Sequence, residues 1–304
     1  MKENKVKRAS GLFFCIMKKT TLLKLLSLFS AVRGYNIMMV CLAQYLAAIF
    51  VLSQRPYKEV LFDESLFMLV LSGALAIAGG YIINGFYDQE KDLINKPMKT
   101  MIDLLVSQNT RLTLYFLLNL LSVIVASYVS FRAVLFFSLY IFALWLYSHR
   151  IKKIAFWGNL SSASLAIIPF FAVFVYYRNF DHSIFLHAIL IYLLVLIKDF
   201  VKDLENIKGD LVHNYATIPV VYGERFAKWL ITLSVLLCSL PVYLLLNYFS
   251  IGWLGYFLQF MMGYLCLFLL FLWLSHTQPR YALLHNMIKL ILVIGVLATA
   301  TINN

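Results

Sequence analysis

The sequence predicts an all-α membrane protein, a bundle of about nine transmembrane helices, and three observations carry that expectation. Its 304 residues are 62% hydrophobic and only 13% charged, whereas soluble domains are roughly half apolar and about a quarter charged. The apolar residues gather in nine runs long enough to cross a bilayer, which takes about 17 to 25 residues each. The runs are continuous and rich in Leu, Ile and Phe, without the alternation of a barrel strand, so only helices satisfy their backbones in lipid.

The first run covers 28–53 and follows a segment carrying seven Lys and Arg within residues 1–24. That segment resembles a signal n-region, but the run behind it is too long and has no small-residue cleavage site, so it is expected to remain as an anchor. Residues 1–16 precede Met17-Lys18-Lys19 and read as a start-site extension of a single domain spanning 1–304. The second run, 65–87, ends at an acidic segment. The third, fourth and fifth cover 112–130, 131–147 and 155–177, and the sixth, 183–198, ends at a second acidic segment. The seventh, eighth and ninth, 229–249, 251–275 and 281–302, close the bundle.

A net charge of +12 could suit nucleic acid, but its distribution points to the bilayer instead. Of the 26 Lys and Arg, 21 fall on the side of the N-terminus when the nine spans are threaded, and Arg55, Lys58, Arg132 and Arg178 fall on the other, with Arg33 beside the first span. This is the positive-inside pattern, and it puts the N-terminus and the 88–111, 148–154 and 198–228 loops in the cytoplasm. No nucleic-acid partner is expected. The four cysteines, Cys15, Cys41, Cys238 and Cys266, lie in apolar runs without paired spacing, so they read as small core hydrophobes rather than a disulfide or zinc framework.

The acids are rarer and more informative. Only 14 Asp and Glu occur, and seven of them fall in two short windows: Asp88, Glu90 and Asp92, then Asp199, Asp203, Glu205 and Asp210. Asn84, Asp88, Asp92 and Asn95 share one face of a helix that Pro97 should stop. Asp199, Asp203, Asn206 and Asp210 make a tighter stripe, within about 60° of arc at 100° per residue. Like charges on one helix face repel by a few tenths of a kcal/mol per pair, so both stripes invite a cation. Mg2+ suits them, since it takes hard oxygen ligands and is typically held by one or two carboxylates together with substrate phosphates.

The two windows resemble the paired aspartate-rich motifs of the UbiA superfamily of intramembrane prenyltransferases, itself a nine-helix fold. Asn84, Asp88 and Asp92 match the first motif, and Asp199, Asp203 and Asp210, followed by Thr217-Ile-Pro219, match the second. Arg33-Gly-Tyr-Asn36 is similar to a first-helix signature, and Tyr147-Ser148 with Lys152-Lys153 to the end of the fourth helix. The segments look most like the branch that makes digeranylgeranylglyceryl phosphate. Met98-Lys-Thr-Met-Ile-Asp103 departs from that branch, which has a Pro-Ser-Gly turn there, and so do Asn206 and Gly85.

The resemblance implies Mg2+-dependent prenyl transfer in a central cavity opening to the cytoplasm. Asp88, Asp92, Asp203 and Asp210 would be the catalytic and metal-holding acids, with Asp199 a further ligand. Asn84, Arg33, Asn36, Tyr147, Lys152 and Lys153 would meet the diphosphate, and Phe86, Tyr87 and Tyr147 could face an allylic cation. The implied partners are a prenyl diphosphate, of geranylgeranyl length by that branch likeness, and a lipidic or aromatic acceptor. The hydroxyl of geranylgeranylglyceryl phosphate is favoured over a quinone precursor. Haem farnesylation finds no support in the scattered His149, His182, His187 and His213. A cation-coupled transporter would need charge near the bilayer midplane, yet spans 112–147 and 229–275 hold only Arg132.

Overall fold

A computed structural model describes residues 27–104 and 106–302, so the expectations for 1–16, the N-terminal anchor segment and Cys15 lie outside the described residues. The chain folds as α1 (Gly34–Ala47, continued by a π-helical Ala48–Leu52), α2 (Tyr57–Leu61), α3 (Glu64–Tyr87), α4 (Gln89–Asn95), α5 (Pro97–Asp103), α6 (Gln108–Ser127) and α7 (Phe131–His149). After a 3-10 turn at Ile151–Lys153 come α8 (Trp157–Tyr177), α9 (His182–Val212), α10 (Ile218–Tyr222), α11 (Glu224–Tyr248), α12 (Leu254–Leu274) and α13 (Gln278–Ala298). Among the described residues, nine helices are long and apolar enough to span a membrane: α1, α3, α6, α7, α8, α9, α11, α12 and α13.

Side-chain oxygens start four of them. Asp63, Ser107, Ser130 and Asp181 accept hydrogen bonds from backbone N–H groups in the first turns of α3, α6, α7 and α9, which otherwise lack partners. Pro169 inside α8 cannot donate to Leu165 C=O, and the Tyr140 hydroxyl of α7 donates to that carbonyl at 3.0 Å instead. Ser72 of α3 and Ser122 of α6 each donate to the other's backbone carbonyl at 2.8 Å. Small residues making reciprocal bonds are how helices associate where lipid removes the hydrophobic drive.

Two apolar cores result. One joins α1, α3, α7 and α8 around Leu66, Val70, Phe137 and Val173. The other joins α9, α11, α12 and α13 around Ile197, Ile231, Leu265 and Ile288.

Three local expectations are corrected. The polar stripe 84–95 is not one uninterrupted helix: α3 ends at Tyr87, Asp88 sits at the joint, and α4 begins at Gln89. Pro97 does not merely stop a helix but opens α5, since its fixed φ and missing N–H cost nothing in a first turn. The sixth run ends at 198 by hydropathy, whereas α9 continues to Val212. At 1.5 Å per residue its 31 residues span about 46 Å, well beyond a ~30 Å hydrocarbon core. Hydropathy measures the lipid-embedded part of a helix, and the charged remainder stays helical outside it. Of the cysteines, Cys238 is buried in the core and Cys41 partly so, but Cys266 is exposed on α12.

Candidate active site

The site is assembled where three segments meet at one end of the bundle: the α3–α4 joint, the turn between α7 and α8, and the polar end of α9 with the loop behind it. At the joint, Asp88 is buried and its carboxylate has three close partners besides the Lys91 ammonium. Asn84 Nδ2, one turn earlier, donates to Asp88 Oδ2 at 3.1 Å. Tyr215 OH donates to Asp88 Oδ1 at 3.0 Å, and Lys152 Nζ lies 2.8 Å from the same oxygen. Burial alone would raise the Asp88 pKa, but the charges of Lys152 and Lys91 outweigh it and hold the carboxyl well below the usual range.

The turn between α7 and α8 delivers Lys152. Its ammonium also donates to Asn84 Oδ1 at 3.1 Å, while the next residue, Lys153, is exposed, its Nζ 5.3 Å from the Tyr215 ring. Gly158 permits this turn: a Cβ there would lie 3.0 Å from the Lys152 carbonyl oxygen. The Lys153 carbonyl accepts the Ala216 N–H at 3.0 Å, tying the turn to the loop after α9.

From α9, Asp210 is almost fully buried, and Thr217 Oγ1 donates to its Oδ2 at 3.2 Å. Lys91 Nζ lies 3.1 Å from Asp210 Oδ1 and 3.6 Å from Asp88 Oδ1, so this one ammonium bridges the two acidic segments. Burial would lower the Lys91 pKa, but Asp88 and Asp210 raise it above the ordinary value. Asn95, at the end of the first stripe, docks on the second. Its Oδ1 accepts the Gly209 N–H at 3.1 Å, at a position where a Cβ would collide with the amide.

Asp203 accepts from Asn159 Nδ2 at 2.7 Å. Asp199, Asp203, Tyr147, Lys152, Asn159 and Lys202 together line a small polar cavity.

Not every expected residue joins this constellation. Arg33 stacks over Tyr81, 5.0 Å from the ring centre, and Asn36 is exposed, its Nδ2 at 3.5 Å from Tyr81 OH. Asp92 is half-buried on α4 and makes no side-chain hydrogen bond or ion pair with a described residue. Phe86 packs edge-on against Tyr87, and Tyr87 lies 5.8 Å from Lys152 Nζ. Conversely, sequence reasoning assigned no role to Lys91, Lys202, Asn159 or Tyr215. Lys91 falls inside the first acidic window, and Asn159 is an isolated amide at the head of an apolar run; those were the available signals.

The donor set fits a divalent cation. All the candidate ligands are hard oxygens, and the buried Asp199 Oδ2 and Asn206 Oδ1 accept no hydrogen bond among the described residues. No three acids close around a common point among those residues. Mg2+ is usually held by one or two carboxylates with phosphate oxygens completing the shell, rather than by an all-protein cage.

The comparisons with known proteins agree with this architecture. The model of the UbiA prenyltransferase family matches residues 21–291. A digeranylgeranylglyceryl phosphate synthase of Saccharolobus solfataricus is 27% identical over 231 residues, covering 74% of this chain and 80% of that protein. Among solved structures, one of digeranylgeranylglyceryl phosphate synthase superposes with a TM-score of 0.68 at 18% identity, over 92% of this chain and 98% of the other. A UbiA homologue from Archaeoglobus fulgidus, bound to GPP and Mg2+, superposes with a TM-score of 0.64 at 13% identity, over 90% of this chain and 99% of the other.

Proposed function

This chain belongs to the UbiA prenyltransferase family and is an integral membrane prenyltransferase; from that premise we propose that it transfers a geranylgeranyl group from a Mg2+-bound diphosphate to the hydroxyl of geranylgeranylglyceryl phosphate. The observation that carries the reading is the meeting of the two acidic segments, Asp88 joined to Asp210 through Lys91, with Lys152 of the adjoining polar pocket paired to Asp88. The acceptor follows the curated relatives, which include synthases of that ether lipid.

Asp88, Asp199, Asp203 and Asp210 would hold Mg2+, with Asp92 approaching from α4 and Asn84 and Asn206 as neutral oxygens. The bound ion would supply Lewis-acid neutralisation of the departing diphosphate, worth several kcal/mol. Lys152 and Lys91 are fixed donors whose charge meets the phosphate oxygens as the bond to the prenyl carbon breaks. Tyr147 and Tyr87 offer ring faces toward the allylic carbon. The acceptor oxygen then bonds to that carbon and its proton is lost, giving an ether and pyrophosphate. Arg33, Asn36 and Lys153 lie outside the contacts around Asp88, and we place them at the mouth of the pocket. Following the distribution of Lys and Arg, that mouth and the N-terminus face the cytoplasm, and residues 1–304 act as one domain.

An acceptor panel tests this. Purified protein with labelled geranylgeranyl diphosphate and Mg2+ is offered geranylgeranylglyceryl phosphate, 4-hydroxybenzoate, 1,4-dihydroxy-2-naphthoate and homogentisate separately. Label should enter the glyceryl phosphate alone, be lost with EDTA and return with Mg2+. Product on an aromatic acid would move the enzyme to quinone synthesis, and transfer indifferent to chelation would refute the metal assignment.

A further inference from the structure

At the end of the bundle opposite the acids, a second and much larger cavity of about 1270 Å³ opens to the outside. Small-molecule pockets generally enclose roughly 300–1,000 Å³, so this one has room for an amphiphile. Three separate connections each contribute an arginine to its wall: Arg55 after α1, Arg132 at the start of α7 and Arg178 after α8. No carboxylate lines the cavity, and none of the three has an Asp or Glu within ion-pair distance among the described residues.

The wall is otherwise split by polarity. Leu52, Leu69 and Phe136 are apolar lining, while the Tyr177 hydroxyl is shielded from solvent and has no hydrogen-bond partner among the described residues. The Asn179 side chain, donating to Leu52 C=O at 3.1 Å, pins the turn that carries Arg178.

We propose that this cavity binds an anionic, phosphate-bearing lipid of the adjoining leaflet, its phosphate among Arg55, Arg132 and Arg178 and one hydrocarbon chain against the apolar wall. Guanidinium forks match phosphate oxygens two at a time; Asp63 stands behind the wall, its carboxylate held by the lining Tyr176 hydroxyl at 2.9 and 3.0 Å, but it pairs with none of the three arginines, which leave a positive mouth that a zwitterionic head group satisfies poorly. The site is separate from the acid-lined pocket and does not depend on which acceptor the enzyme uses.

The test is binding of phosphatidylglycerol and of phosphatidylcholine to the full-length, delipidated protein, read as apparent Kd by native mass spectrometry. Phosphatidylglycerol should bind at least about tenfold more tightly. Each of Arg55→Gln, Arg132→Gln and Arg178→Gln should weaken it roughly fivefold, the effect of one basic residue near an anionic lipid, and the triple variant should abolish the preference while retaining prenyl transfer. Val175→Trp, which fills the cavity without changing charge, should reduce binding of both lipids. Equal affinities for the two lipids, a preference that survives the triple variant, or full displacement by millimolar inorganic phosphate would each overturn the proposal, the last by making it a small-anion site. Should the triple variant not fold, the wild-type preference and Val175→Trp decide.

Discussion

Replacing Tyr215 by Phe deletes one oxygen atom from the loop behind α9 and tests whether the convergence on Asp88 matters to catalysis. That hydroxyl donates to Asp88 Oδ1 at 3.0 Å, and the residue is only 4% exposed. Its ring also lies 4.2 Å from Lys91 Nζ, a contact that Phe keeps. The substitution therefore removes a single hydrogen bond to a charged acceptor, worth about 1.5–3 kcal/mol. The lower figure applies, because Asp88 retains Lys152 at 2.8 Å and Asn84 at 3.1 Å. About 1.5 kcal/mol corresponds to a roughly tenfold fall in kcat/KM for the prenyl diphosphate if Asp88 is better oriented in the transition state. The melting temperature should drop by a few degrees. The assay is initial rate against diphosphate concentration at saturating Mg2+, alongside a thermal unfolding scan of the same preparation. A kcat/KM within twofold of wild type would show that Tyr215 does not orient Asp88 for the reaction, whatever happened to the melting temperature.

Other perturbations reach the same site from different sides. Asp88→Ala and Asp203→Ala should each reduce transfer to background while expression and membrane insertion stay normal, and turnover retained in both would sink the two-segment mechanism. In Gly158→Ala the added methyl meets the Lys152 carbonyl oxygen at 3.0 Å. That atom is backbone and cannot swing aside, so the turn should shift, at a cost of about 1–3 kcal/mol and at least tenfold in rate; a wild-type rate would mean the turn is more pliant than its packing implies. Burial, with Lys202 nearby, depresses Lys96 to a pKa of about 8. Near pH 8 roughly half of it is then the neutral nucleophile, against well under 1% of an ordinary lysine. Amine acylation followed by peptide mapping should accordingly find Lys96 labelled well ahead of Lys58, with the rate rising through pH 8. Equal labelling of the two would contradict that environment.

How much of this was legible beforehand differs between levels for a physical reason. A membrane-spanning helix satisfies its backbone within its own segment, so each span can be read from a local run of apolar residues, and the nine runs all correspond to helices. The stripe on α9 was legible for a related reason, since helical periodicity alone puts Asp199, Asp203, Asn206 and Asp210 on one face. Contacts between segments have no such local signature. Tyr215 and Asp88 are 127 positions apart in the chain and Lys152 and Asn84 are 68 apart, and only packing brings them within hydrogen-bond distance.

Neighbouring residues make the limit plain. Lys152 and Lys153 are equivalent as letters, yet a three-residue 3-10 turn buries the first on Asp88 and leaves the second exposed. Arg33 carries a family-like signature but rests on Tyr81. The sequence by itself determined the spans, their number and the two acid-bearing ends, because those follow from hydropathy and helical period. Which cations stand among the acids, and that a cavity walled by three arginines opens at the other end, were decided by tertiary structure, because both depend on where separate connections meet after the helices have packed.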